Sequence, residues 1–250
     1  PKRERAFATS IFNAGTNVGA ILAPWLVPLI AFSLGWRWAF VIMGLGFWVV
    51  GLLLWQRQEK AHRLVPRPSA TQTGSISFAR KVTAVLSQAR ARVVLGTVLL
   101  EGASAFGVVA MGATHLHQSQ GVSLSLAGLA ISMFGLGCLS YAAAARHFIR
   151  RLGEAGMIHV GTLMFGLPFL WIAWVPEWHS AMLASFISGF GFFMFHNTLQ
   201  ALATQMHPPQ RATCMTLFAG TLFSGQSLGV WIAAQLVDRW GTAWVIAMGA

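Results

Sequence analysis

The residues of this chain that could do chemistry are few, and they sit where polar groups are costly. Glu101 is the one acid inside an apolar run, that of 93–114. His196, Asn197 and Gln200 lie near the middle of another, 180–206. His196 and Gln200 have i, i+4 spacing and share a helix face, while Asn197 points about 100° away. Asn13 and Asn17 repeat that spacing on the face opposite Gly15 and Gly19. Gly225 and Gly229 carry the same small-residue step, with Gln226 as the adjoining polar group. An unpaired charge at membrane depth costs roughly 3 kcal/mol on insertion scales. Such groups therefore mark solute or ion pathways, or they tie helices together by hydrogen bonds. A carboxyl that can hold or release a proton is the chemistry of proton coupling. The glycine pairs allow close helix packing.

Other residue patterns exclude rather than propose. His115 and His117 point away from each other on a helix, which argues against a metal pair and for a place at the membrane interface. There is no H-E-x-x-H, no phosphate-cradling glycine loop and no nucleophile elbow, so neither an enzyme nor a bound cofactor or metal is expected. Cys138 and Cys214 fall in or at the edge of apolar runs and read as small buried hydrophobes.

The elements that must position these groups are membrane spans. The chain is 56% hydrophobic and 9% charged, against about 25% charged in a soluble domain. Apolar runs at about 6–31, 38–56, 93–114, 126–145, 157–175, 180–206 and 212–236, with a last one opening near 242, predict a multi-pass helical membrane protein. Pro24 and Pro28 should bend the first run. Residues 57–92 form a polar connector, with an interfacial helix from Ile76 to Arg92 that turns Ile76, Ala79, Val82, Leu86 and Ala89 to one side. Of the 17 Lys and Arg, all but Arg37 and Arg239 fall on one side of this arrangement. That side is the cytoplasmic one, so 57–92 is expected to be cytoplasmic. The net charge of +11 is thus assigned to lipid rather than nucleic acid. Trp residues near the span ends read as interface anchors.

Residues 5–44 recur, without a gap, on 211–250. Arg5/Arg211, Phe12/Phe218, Gly19/Gly225, Trp25/Trp231, Gly35/Gly241 and Trp38/Trp244 are among the identical pairs. Four spans separate the copies, so each copy is the last two helices of a six-helix half. On this reading 1–56 are the last two helices of the N-terminal half, 57–92 the connector, and 93–250 the C-terminal half with its last helix cut short. The chain then holds helices 5 to 11 and part of 12 of a twelve-helix bundle. It opens at Pro1, and the expectation is a cut in a longer protein, with the first four helices missing.

That layout resembles the major facilitator superfamily. Glu4-Arg5-Ala6-Phe7-Ala8, Ile11-Phe12-Asn13, Gly35-Trp36-Arg37 and Ala39-Phe40, within 4–44, look like its anion:cation symporter branch, where hexuronate and other sugar-acid carriers belong. From 76 to 250 the likeness changes. Thr114-His115-Leu116-His117-Gln118, Gly135-Leu136-Gly137 and Pro209-Gln210-Arg211 look more like the second half of sugar- and drug-efflux proton antiporters. The 146–156 loop, with Arg146, Arg150, Arg151 and Gly153, resembles the superfamily's basic inter-helix signature without its acidic residue. The resemblance implies an all-α secondary transporter of the bacterial inner membrane. It would work by alternating access as a monomer, with a small solute and protons as its partners. Uptake of an organic anion of the hexuronate type leads. Efflux of a sugar or drug by antiport is the alternative, and an inactive truncated or fused remnant is a third. An anion carrier needs a cation at membrane depth, and no Lys or Arg lies within these spans.

Overall fold

In hydrocarbon every backbone N–H and C=O must be satisfied within its own segment, so apolar runs of this length have to be helices. In the computed structural model every regular element among the described residues is helical. The described residues are Leu26, Ile30, 33–64, 77–175 and 177–250. They comprise α1 (Trp36–Leu64), α2 (Phe78–Leu86), α3 (Ala89–Gln120), α4 (Leu124–Trp174), α5 (Trp178–Ala203), a 3-10 turn at Pro208–Gln210, and α6 (Arg211–Gly249). Five of these helices are long and apolar enough to cross a membrane. Of the span at 6–31 all but Leu26 and Ile30 lies outside the described residues, Asn13, Asn17, Gly15, Gly19, Pro24 and Pro28 included.

The chain divides into two units, and the described residues of one lie within Leu26–Arg80. Its main helix, α1, is apolar all round and leaves Phe47, Trp48 and Trp55 exposed, as expected of a helix whose solvent is lipid. At its start Trp36 and Phe40 pack edge to face at 6.0 Å, and the Arg37 guanidinium lies 4.8 Å from the Trp36 ring centre.

The other unit contains Lys81–Ala250. Its α4 is 51 residues long, about 75 Å of helix, too much for one crossing of a ~30 Å hydrocarbon core. Gly153 breaks it, with φ 62° and ψ −179°, into the two spans the sequence requires. α6 is broken in the same way at Gly241 (φ 76°), and the last short arm follows. Gly35 also has positive φ (95°), so the matched pair Gly35/Gly241 of the two repeat copies shares a backbone state that side-chain-bearing residues rarely adopt.

Several boundaries differ from the sequence reading. α1 continues to Leu64, so the first part of the supposed connector is helix. The interfacial helix ends at Leu86, and Ala89, Arg90 and Arg92 open α3 instead. Val85 is the side chain it buries fully, while Leu86 and Ala89 are exposed. The cause is the turn at Ser87–Gln88, where Arg92 Nη1 reaches back to the Leu86 and Ser87 carbonyls at 2.9 and 3.1 Å. Residues 146–156 are helical apart from Gly153, so Arg146 and Arg150 project from a helix and not a loop.

Small residues set the packing. A Cβ at Gly137 would collide with the Phe186 carbonyl, and one at Gly189 with the Phe134 carbonyl, which brings the first arm of α4 against α5. Gly161 and Gly191 bring the second arm against α5, each within 3 Å of the other's carbonyl if given a Cβ. Gly225 and Gly229 of α6 face the Leu99 and Ala103 carbonyls of α3, and a Cβ added at Gly102 of α3 would lie 2.5 Å from the Leu222 carbonyl. Without water between helices, such close backbone approach supplies the van der Waals contact that holds a membrane bundle. Cys138 and Cys214 are free and buried, with Sγ atoms turned to the Gly189 and His207 carbonyls.

Candidate functional site

Val98, Glu101, Ala105 and Val108 recur at i, i+3, i+4 spacing on α3, and all four are buried. The adjoining face of α3, with Leu99, Gly102 and Ala103, is taken up by α6. The carboxyl of Glu101 is thus turned toward α5, where Oε1 lies 2.9 Å from His196 Nδ1. The Glu101 side chain is 1% exposed and that of His196 13%. Oε2 of Glu101 is buried and has no hydrogen-bond partner among the described residues.

Aromatic rings close round the imidazole. Phe192, one turn earlier on α5, stacks on it at 5.4 Å and 17°, Phe193 lies at 6.2 Å, and Phe218 of α6 at 5.5 Å. Phe192 continues into a cluster with Phe106, Phe134 and Phe165. In this dry surrounding an ionised carboxyl interacts more strongly with its one partner than it would in water, and an unsatisfied oxygen costs more. The pair lies toward the end of the bundle where α3 begins with Arg90 and Arg92 and α5 gives way to Arg211.

Asn197, Gln200 and Gln226 are half-buried, and no hydrogen bond joins their side chains to other described residues. The structure therefore brings together two of the polar candidates, Glu101 and His196, and leaves these three amides apart from that pair's hydrogen bonding. The aromatic wall had no distinct signal, because Phe on a span is ordinary core or lipid-facing material.

A second polar junction lies near the other end of α3. His115 is buried between helices; its Nδ1 is 2.8 Å from Thr242 Oγ1 and its Nε2 3.2 Å from the Ile172 carbonyl. That carbonyl belongs to the last turn of α4, where no intrahelical donor remains. His115 so joins α3, the end of α4 and the short arm after Gly241. Its position was readable in the sequence: it extends the stripe of Val98, Glu101, Ala105, Val108 and Gly112. His117 is exposed and bonds the Val122 carbonyl at 2.7 Å, beside the Gly121 helix cap. Replacing His115 by Leu is expected to lower stability by about 1–3 kcal/mol, since both partners are left unpaired in an apolar setting. A thermal unfolding temperature in detergent unchanged from wild type would show that the junction carries no load.

Among the described residues, long apolar helices packed into a bundle, with a buried carboxyl–imidazole pair between two of them, define a multi-pass helical membrane protein. The family model of the Major Facilitator Superfamily matches residues 1–230, and the chain belongs to that superfamily. Two curated relatives are each called membrane sensor protein UhpC. The one from Escherichia coli is 24% identical over 96% of this chain and 59% of its own length. The one from Salmonella typhimurium is 24% identical over 100% of this chain and 62% of its own length. This chain thus spans less than two thirds of either relative. Among solved structures, a bacterial homolog of the human lysosomal transporter Spinster, in an inward-facing and unoccupied conformation, matches with a TM-score of 0.59 at 18% identity. The match covers all of this chain and 67% of that one. It establishes the fold.

Proposed function

We propose that this chain is part of a proton-coupled secondary transporter of small solutes, with an organic anion of the sugar-acid class as its substrate. The observation that carries the reading is the Glu101–His196 pair. It is a carboxyl, 1% exposed, bonded to an imidazole across two helices, with its other oxygen lacking a hydrogen-bond partner among the described residues. A pair built only to hold helices together would satisfy both oxygens, because an orphaned acceptor in a dry site weakens the bundle. In the proposed protein, residues 1–56 end the N-terminal half and 57–92 connect the halves on the cytoplasmic side. Residues 93–250 supply the C-terminal half, which rocks against the other around a site that includes Glu101, His196, Asn197 and Gln200, with Gln226, Asn13 and Asn17 as further polar candidates. The bacterial relatives and the helical build fit an inner membrane, where spans are helices rather than barrel strands.

The curated relatives favour a second reading, a sensor that binds a solute without moving it across. Flux separates the two. The full-length protein, reconstituted in liposomes, is expected to accumulate labelled D-glucuronate against its gradient when the pH gradient is imposed, and to stop when a protonophore collapses it. Saturable binding without accumulation would give the sensor reading its support and remove the transport one.

A further inference from the structure

We infer that the proton taken up by His196 builds the anion contact itself: protonation turns the exposed nitrogen of its ring from an acceptor into a charged donor for a substrate carboxylate. The inference rests on the transport reading above and names how its site would choose an anion.

The argument starts from which atoms are already engaged. Nδ1 of His196 is held by Glu101 Oε1 at 2.9 Å. A carboxylate only accepts, so Nδ1 carries the hydrogen and the neutral ring presents Nε2 as a bare acceptor. Nε2 has no hydrogen-bond partner among the described residues, and the ring keeps 13% of its side chain accessible where Glu101 keeps 1%. The imidazole is thus the face of the pair, and the carboxylate is its backing. In this state the pair is net negative and offers an acceptor, and both repel an anion. Adding one proton at Nε2 leaves the Nδ1 bond in place, brings the pair to neutrality, and makes Nε2–H a charged donor.

Among the described residues no Lys or Arg side chain belongs to that depth. Lys and Arg on α3, α5 and α6 are confined to the helix ends, at Arg90, Arg92, Arg211 and Arg239, and on α4 to the neighbourhood of Gly153. The groups facing the ring are Glu101 from α3, Phe192 and Phe193 from α5 itself, and Phe218 from α6. Cys214 on α6 turns its Sγ to the His207 carbonyl, and Tyr141 on α4 packs on Phe190. The aromatic wall limits competition from water and so favours a charge-assisted bond to a carboxylate. Proton and anion would then bind together, because the second needs what the first creates.

Calorimetry on the full-length protein in nanodiscs tests this with D-glucuronate and its neutral counterpart D-glucose as probes. Glucuronate affinity is expected to fall about tenfold per pH unit once the ring deprotonates, as for any ligand that requires one bound proton. Glucose binding should stay flat. His196→Gln should remove the pH dependence and hold glucuronate at the weak, high-pH level. A readout that needs no variant comes from nitrogen-15 histidine NMR on the wild-type protein, where glucuronate should move the midpoint of the His196 ring titration upward. Glucuronate affinity that ignores pH, or is absent at every pH, overturns the inference, as does a His196 titration that glucuronate leaves in place. If pH-driven uptake still occurs in the same preparation, the anion contact alone is refuted and the transport reading stands. If uptake is absent as well, both fall.

Discussion

With Gln in place of Glu101, the full-length protein should lose accumulation of glucuronate driven by a pH gradient, yet still exchange labelled for unlabelled solute across the membrane. Gln is close in shape and keeps a carbonyl oxygen to accept from His196 Nδ1, 2.9 Å away in the wild type. The ring is therefore held in place, and the packing of Val98, Ala105 and Val108 on the same face of α3 is undisturbed. What disappears is the negative charge that backs the imidazole and favours its taking up a proton. No other acid on these helices is placed to replace it, since Glu154 and Asp238 sit near the breaks at Gly153 and Gly241 and Glu177 precedes α5. Exchange needs only that the loaded site face either side, whereas accumulation needs the proton to travel with the solute. Accumulation falling to equilibrium with exchange preserved would place Glu101 in coupling. Accumulation equal to wild type would sink the role, and loss of both would assign Glu101 to folding or binding instead.

How much of this was readable beforehand follows from the physics of each signal. Span type came through among the described residues because hydrocarbon admits few backbone solutions, so length and apolarity nearly determine the element. The repeat came through at residues with special backbone demands, and Gly35 and Gly241 show why: both have positive φ, a state that only glycine adopts freely. Helix ends were less legible. α1 runs to Leu64 through charged residues because a helix leaving the membrane can continue in water, where no apolar pattern marks its stop. In the site, Glu101 stood out alone as an acid in a span, but its partner did not. His196 was one of several polar groups on α5, and its bond to Glu101 depends on how α3 and α5 face each other. The burial of His115 follows from the stripe it shares with Glu101 and Val108, a spacing that its distance from His117 does not reveal.

The contact of α6 with α3 governs the site from behind, and two glycines on α6 make it testable. A Cβ at Gly225 would run into the Leu99 carbonyl and lie 3.2 Å from the Ala103 N, while one at Gly220 meets nothing within 4 Å. Both positions are helical, so intrinsic helix propensity favours Ala over Gly by about 1 kcal/mol in each. At Gly220 that gain is expected to appear alone, and Gly220→Ala should be as stable as wild type or slightly more so. At Gly225 the clash is with backbone, which cannot rotate away, so α3 and α6 must separate. Overpacking of this kind costs typically 1–3 kcal/mol, enough to outweigh the propensity gain. Leu99 and Ala103 flank Glu101 on α3, so the same displacement shifts the carboxyl relative to His196. Gly225→Ala should therefore lower the thermal unfolding temperature and the glucuronate affinity together, and Gly220→Ala should lower neither. If the two substitutions behaved alike, close α3–α6 approach would not be what positions Glu101, and the pair would have to be held in place from α5 alone.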